Sequence, residues 1–111
     1  MQAVSRFGEA ERYYTMKIKA IVKRPGESCK VKRISNTKKA MQKLCGGYTD
    51  AMDFADGCVI VFRRTCENSG LPFNIRLDGR LLCGTIVICG IENGEFTDVS
   101  PILANNLEVE E

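Results

Sequence analysis

The side chains best suited to bind a ligand lie in one short segment, GLPFNIR, at residues 70–76. Pro72 stiffens the backbone, and the apolar residues that alternate along the segment can anchor it to a core. Asn74 and Arg76 would then have little rotamer freedom left to lose on binding. An amide both donates and accepts, and a guanidinium suits phosphate or carboxylate. The segment therefore predicts a site for a small polar ligand. A structural alternative stays open, in which Asn74 bonds its own backbone and Arg76 covers a sheet edge.

Catalytic chemistry has few candidates in this chain. The chain contains no histidine, which removes the commonest general base and a frequent zinc ligand. Carboxylates such as Asp50 and Asp53 do not stand out as a pair that could act across a cleft. Cys29 lies beside Lys30 in an electropositive setting, but no histidine can activate it. We therefore predict a protein that is not an enzyme.

The cysteines are scattered, and no two have C-x-x-C spacing. This spacing argues against a four-cysteine zinc site, and no metal or other cofactor is predicted. The N-terminus lacks the apolar core of a secretory signal, and no apolar run approaches the ~20 residues of a membrane span. We therefore expect no membrane association and reduced thiols in a cytoplasm, most of them buried as small hydrophobic side chains. The six are Cys29, Cys45, Cys58, Cys66, Cys83 and Cys89.

Charge is divided unevenly along the chain. Residues 17–43 hold ten basic residues against Glu27 alone, whereas residues 44–111 hold four arginines against eleven acids. The basic segment could attract an anion such as a nucleotide or a nucleic-acid backbone, and a solvated surface without a ligand is the alternative. Because the segment contains no aromatic residue to stack on a base, a sequence-specific DNA reader is not expected.

A single α+β domain over residues 16–111 is expected to position these groups, preceded by an N-terminal extension at residues 1–15. The order ββαβββα predicts a mainly antiparallel or mixed sheet of about five strands, with two short helices on one face. The apolar run 58–62 indicates a central strand covered on both faces. Residues 66–80 are expected to be irregular. The predicted strands are 16–22, 29–34, 48–54, 58–62 and 81–91, and the helices follow Ser35-Asn36-Thr37 and Ser100.

Four segments carry a resemblance to known proteins. They are MKIKAIVKRPGE at 16–27, LCGGY at 44–48, GLPFN at 70–74 and GTIVICGIENGEFTDVS at 84–100. In this order, over roughly residues 16–103, they resemble a family of small domains of unknown function that occur in Firmicutes genomes, phages and mobile elements. Family members often have an arginine directly after the asparagine of the third segment, whereas here Ile75 separates Asn74 from Arg76.

The resemblance implies a small accessory protein, encoded by a phage, that acts in the cytoplasm of a bacterial host cell. Compact phage proteins often counter host defence, and one class forms oligomers that sequester nucleotide immune signals. Together with the basic segment and the stiff loop, this predicts a non-catalytic binder of an anionic, nucleotide-like molecule. Arg24, Tyr48, Asn74 and Arg76 would line the pocket, with the tyrosine stacking on a base and the arginines meeting phosphates.

Two other functions stay open. The first is a protein–protein inhibitor of a host defence or nucleic-acid-processing protein, which would dock through the acidic residues 92–111 or an exposed sheet edge. The second is an enzyme that degrades a nucleotide. A host protein and a second copy of the chain are accordingly further expected partners.

Overall fold

The computed structural model describes residues 16–107; the expected extension at residues 1–15 and residues 108–111 lie outside the described residues. Within this range, eight strands and two helices follow in the order ββαββββββα. This confirms an α+β fold built mostly from antiparallel strands with two short helices. The strands are β1 Lys17–Lys23, β2 Lys30–Ser35, β3 Thr49–Asp53, β4 Cys58–Arg63, β5 Phe73–Leu77, β6 Arg80–Cys83, β7 Ile86–Glu92 and β8 Glu95–Thr97, and the helices are α1 Lys38–Cys45 and α2 Pro101–Asn106.

The expected count of five strands was wrong because three short strands were missed. Residues 66–80 are not irregular throughout, since Asp78 and Gly79 have φ of 50° and 78° and form a two-residue turn between β5 and β6. The apolar run 81–91 is not one strand, because Gly84 at φ +71° separates β6 from β7. The third missed strand, β8, folds back on β7 after the turn at Asn93-Gly94.

The main sheet has the order β2-β1-β7-β4-β3, and every pairing in it is antiparallel. The strand β8 joins the sheet at the end of β7, where Gly90 is paired with Thr97. The first five residues of β4 and of β7 are all buried. The prediction of a central strand at 58–62 is therefore confirmed.

The two faces of the sheet carry separate apolar cores, and each has its own cover. Met41 and Cys45 of α1 pack on the first core, which we call the α1 face. Leu82 of β6 and Leu103 of α2 pack on the second core. We call this side of the sheet, which the β5–β6 hairpin covers, the hairpin face. The expectation of two helices on one face was wrong, because strands that are apolar on both sides need a cover on both sides. No helix within residues 16–107 is long and apolar enough to cross a membrane.

The helix boundaries follow from local chemistry and confirm the predicted capping residues. The Thr37 hydroxyl accepts from the backbone N–H of Ala40 at 3.1 Å, and Gly46 ends α1 at φ 88°. Ser100 caps α2 in the same way, and Pro101 occupies its first turn.

The cysteines divide into a bonded pair, three buried thiols and the half-buried thiol of Cys29. Cys66 and Cys83 form a disulfide with Cα atoms 5.5 Å apart, so the expectation of reduced thiols was wrong for this pair. Their separation of 17 residues does not by itself predict a disulfide, because the contact depends on β6 folding back towards the end of β4. Cys45, Cys58 and Cys89 are buried as small hydrophobic side chains, as predicted. Burial raises the pKa of the Cys45 and Cys89 thiols to about 12.

Removing the disulfide is expected to lower the free energy of unfolding by about 3 kcal/mol, because a cross-link of this loop length restricts the unfolded chain by that amount. The measurement is urea unfolding of the wild type and of Cys66→Ala/Cys83→Ala, each with and without reductant. Reductant should shift the wild-type midpoint and leave the variant unchanged. A wild-type midpoint that does not respond to reductant would show that the bond contributes nothing to stability.

Candidate anion-binding site

One surface groove beside α1 is lined by charged groups of a single sign. It has a volume of about 520 Å³, within the ~300–1,000 Å³ typical of small-ligand sites. We call it the α1 groove. Its nine lining residues are Lys17, Arg24, Arg33, Ile34, Ser35, Ala40, Lys43, Leu44 and Thr85.

The walls of the α1 groove are set by one side of the helix and by the β1–β2 hairpin. Ala40, Lys43 and Leu44 are spaced three and four residues apart, so they lie on one side of α1, next to the residues that pack on the sheet. The other lining residues come from the end of β2, from Thr85 before β7, and from the two ends of β1, where Lys17 and Arg24 stand.

The electrostatics of the α1 groove favour an anion. Four of its lining residues are basic and none is acidic. The ion pair described within residues 16–107, Arg64 with Asp50 at 3.1 Å, involves none of these four. Lys17 also lines a neighbouring groove with Glu95 and Asp98, so the repulsion that a bound anion would relieve is mainly that among Arg24, Arg33 and Lys43. Lys43 also lies in the last turn of α1, where the helix dipole favours a positive charge.

Two other grooves lack this charge imbalance. A groove of about 620 Å³ between the start of α1, β3 and β8 is lined by Lys38 and Arg64 but also by Asp50 and Glu95. A small groove of about 160 Å³ holds Tyr48, Arg63 and Arg64. Both of its arginines already have partners, since the Arg63 guanidinium donates to the backbone oxygens of Gly46 and Thr65. Among the residues that the structure describes, neither groove offers an anion a comparable set of cations.

Asn74, a predicted ligand-binding residue, is a buried clamp. Its side chain is 8% exposed, and its Nδ2 donates to the backbone oxygens of Lys23 at 2.9 Å and Gly84 at 2.8 Å. Its Oδ1 accepts from the Lys23 ammonium at 2.9 Å. These contacts use both amide hydrogens and tie β5 to the end of β1 and to the β6–β7 junction. The structural alternative proposed for Asn74, a bond to its own local backbone, was wrong, since its backbone partners are distant in sequence.

The rest of GLPFN fixes the same junction. The Leu71 side chain packs against Gly46 and Gly84, so closely that a Cβ on either glycine would lie 2.9 Å from Leu71 Cδ1. The backbone N–H of Gly84 donates to the oxygen of Pro72 at 2.8 Å. The segments LCGGY, GLPFN and the start of GTIVICG therefore meet in space, and much of what sets this sequence pattern apart is packing at one end of the sheet.

The other predicted residues are spread over the surface. Arg24 is exposed and lines the α1 groove. Tyr48 is 73% exposed and lines the small groove with Arg63. Arg76 is exposed on β5 opposite Leu81. The α1 groove, the groove of about 620 Å³ and the small groove each contain at most one of the four predicted ligand-binding residues.

Sequence reasoning identified the basic segment that contains Lys17, Arg33 and Lys43, but not the convergence of these three with Arg24. Their convergence depends on the β1–β2 register and on the placement of α1 over the sheet, which no local pattern encodes. Within residues 16–107, no cluster of three or more cysteine, aspartate or glutamate side chains could hold a metal ion.

These features define a small α+β domain with an open, basic groove. The family described as a domain of unknown function, DUF3846, matches residues 16–110, and the chain belongs to this family. The resemblance seen in the sequence is thereby confirmed. No curated protein and no solved structure matches the chain.

Proposed function

We propose that the protein binds a small anionic, nucleotide-like molecule in the α1 groove and holds it without turnover. The observation that carries this proposal is that four of the residues lining a single groove are basic and none is acidic. Such an arrangement gains little from facing water alone, whereas a ligand with phosphate groups would compensate the repulsion.

The chemistry of the groove suits a ligand with an apolar part and more than one phosphate. Ile34 and Leu44 offer an apolar surface, and Ser35 and Thr85 supply hydroxyls. Arg24 and Arg33 can engage phosphate oxygens through two donors each, and the lysines act as point charges. Because Lys17 and Arg24 stand at the two ends of β1, they could meet separated anionic groups such as those of a dinucleotide. Arg24 keeps its predicted role, and Lys17, Arg33 and Lys43 join it.

Binding without turnover is proposed because of the residue types in the groove. None of its nine lining residues is a carboxylate, a cysteine or a histidine, so the usual general bases are missing from its walls. In the phage context that the family resemblance implies, a binder of this kind would act by sequestration, lowering the free concentration of a host signalling nucleotide. A nucleotide-degrading enzyme would instead need a reactive group placed against the ligand.

Reversing two groove charges is expected to abolish nucleotide binding. Each charge-assisted hydrogen bond is worth about 1.5–3 kcal/mol, so Arg33→Glu/Lys43→Glu should weaken ATP binding by roughly a hundredfold or more. Isothermal titration calorimetry at low salt measures this, with adenosine as an uncharged ligand that should not bind.

A matched control variant distinguishes an effect of the groove residues from an effect of the change in net charge. Lys38→Glu/Lys39→Glu makes the same change in net charge on exposed residues of α1 that do not line the groove. This variant should retain most of the affinity for ATP. Equal losses in the two variants would contradict the proposal, as would hydrolysis of ATP by the wild type, which would favour an enzyme.

A further inference from the structure

The main sheet ends in two strands whose outer edges have no strand partner among residues 16–107. These are β2 on one side and β3 on the other. In β2, the backbone N–H of Asn36 donates to Met16, and alternation along the antiparallel ladder directs the N–H and C=O groups of Val31, Arg33 and Ser35 outward. Both edges therefore present backbone groups that could pair with another strand.

The outward groups of β3 follow from the same reasoning. Phe54 donates to Cys58, and Arg64 donates to Tyr48, so the residues between these pairs alternate inward and outward. Thr49, Ala51 and Asp53 point outward. Only the oxygen of Thr49 has a side-chain partner within the described residues, a long bond of 3.4 Å from Arg64.

The two edges carry opposite charges. β2 contains Lys30, Lys32 and Arg33 and no acid, whereas β3 contains Asp53 and Asp50, the latter paired with Arg64, and no basic residue. Like charges placed directly opposite destabilise strand pairing, and opposite charges stabilise it. Charged side chains on an edge often prevent pairing altogether. In this sheet, two β2 edges would repel each other, as would two β3 edges, whereas a β2 edge attracts a β3 edge.

The charges also match on the α1 face of the sheet. Four antiparallel steps separate β2 from β3, so the two strands run in the same direction. Side chains alternate between faces, which places Lys30, Lys32 and Asp53 on the α1 face. A second copy that extends the sheet without turning it over would bring these opposite charges together on that face.

We propose that β2 of one copy pairs with β3 of a second copy and extends the main sheet. The contact joins two different surfaces, so repetition gives a closed ring or an open filament rather than a symmetric dimer. Assembly uses the sheet edges and does not depend on a ligand in the α1 groove.

The test is analytical ultracentrifugation of the full chain with two charge-reversed variants. Asp50→Lys/Asp53→Lys makes both edges basic, and Lys30→Glu/Lys32→Glu makes both acidic without touching a residue of the α1 groove. The wild type should assemble at low salt and dissociate at high salt. Each variant alone should assemble about tenfold more weakly or not at all. An equimolar mixture of the two should assemble again, because each edge then has a complementary partner.

Three results would overturn the proposal: a wild type that stays monomeric at low salt, variants that assemble as well as the wild type, or a mixture that stays monomeric. Circular dichroism confirms that each variant is folded. If the β3 variant does not fold, the β2 variant and the salt dependence of the wild type still decide the question. The proposal requires that the β2 substitutions and high salt each weaken assembly.

Discussion

Replacing Asn74 with alanine is expected to lower the free energy of unfolding by about 3 kcal/mol, since each buried polar group left unsatisfied costs about 1–3 kcal/mol. The substitution removes the donor to the Lys23 and Gly84 carbonyls and the acceptor for the Lys23 ammonium. Urea unfolding with linear extrapolation measures the loss.

The control is Asn106→Ala, which truncates an exposed asparagine of α2 and should change stability by about 0.5 kcal/mol or less. Where Asn74→Ala remains folded, its affinity for ATP should match that of the wild type, because the Asn74 amide bonds the backbone of Lys23 and Gly84 and not a ligand. The opposite pattern, with stability unchanged and ATP binding lost, would show that GLPFN forms a ligand pocket.

Gly84→Ala is expected to destabilise the fold by about 3 kcal/mol, of which about 1–2 kcal/mol reflects the left-handed backbone and the rest an overpacked junction. Gly84 has φ +71°, and an added Cβ would lie 2.9 Å from Leu71 Cδ1 and 3.3 Å from the Cys45 oxygen. The backbone oxygen cannot move without disturbing the end of α1. Thermal and urea unfolding should both report the loss.

Gly79→Ala is the matched control for this substitution. Gly79 has φ +78°, but an added Cβ there has no atom within 4 Å, so only the backbone strain remains. The difference between the two variants isolates the contact with Leu71 and Cys45. Adding Leu71→Ala to Gly84→Ala should cost less than the sum of the single changes, because the clash is relieved. Equal losses at Gly79 and Gly84 would contradict close packing at this junction.

Features that depend on neighbouring residues were predictable from the sequence. The caps at Thr37 and Ser100 were recognised because capping oxygens are a local requirement. The fully apolar run in β4 likewise indicated a strand covered on both sides. The short strands β5 and β6 were missed because residues 66–80 were expected to be irregular, and these strands form only by packing on the sheet.

Features that depend on distant residues were not predictable. Leu71 and Ile75 pack as expected, but Phe73 is 54% exposed. The polar group of Asn74 satisfies carbonyls 51 and 10 residues away, which no local pattern reveals. The placement of α1 and α2 on opposite faces follows from the sheet order. The same order brings Lys43 of the helix towards Lys17 and Arg33 of the hairpin, and it could not be deduced from the basic segment alone.

The most direct test of the proposed function is a titration of ¹⁵N-labelled protein with ATP, followed by two-dimensional NMR of the backbone amides. We predict that the largest shifts occur along the α1 groove, at Ser35, Ala40, Lys43, Leu44 and Thr85. Adenosine should cause no comparable change. A spectrum that ATP leaves unchanged, or shifts centred on β5 around Asn74 and Arg76, would contradict anion binding in the α1 groove.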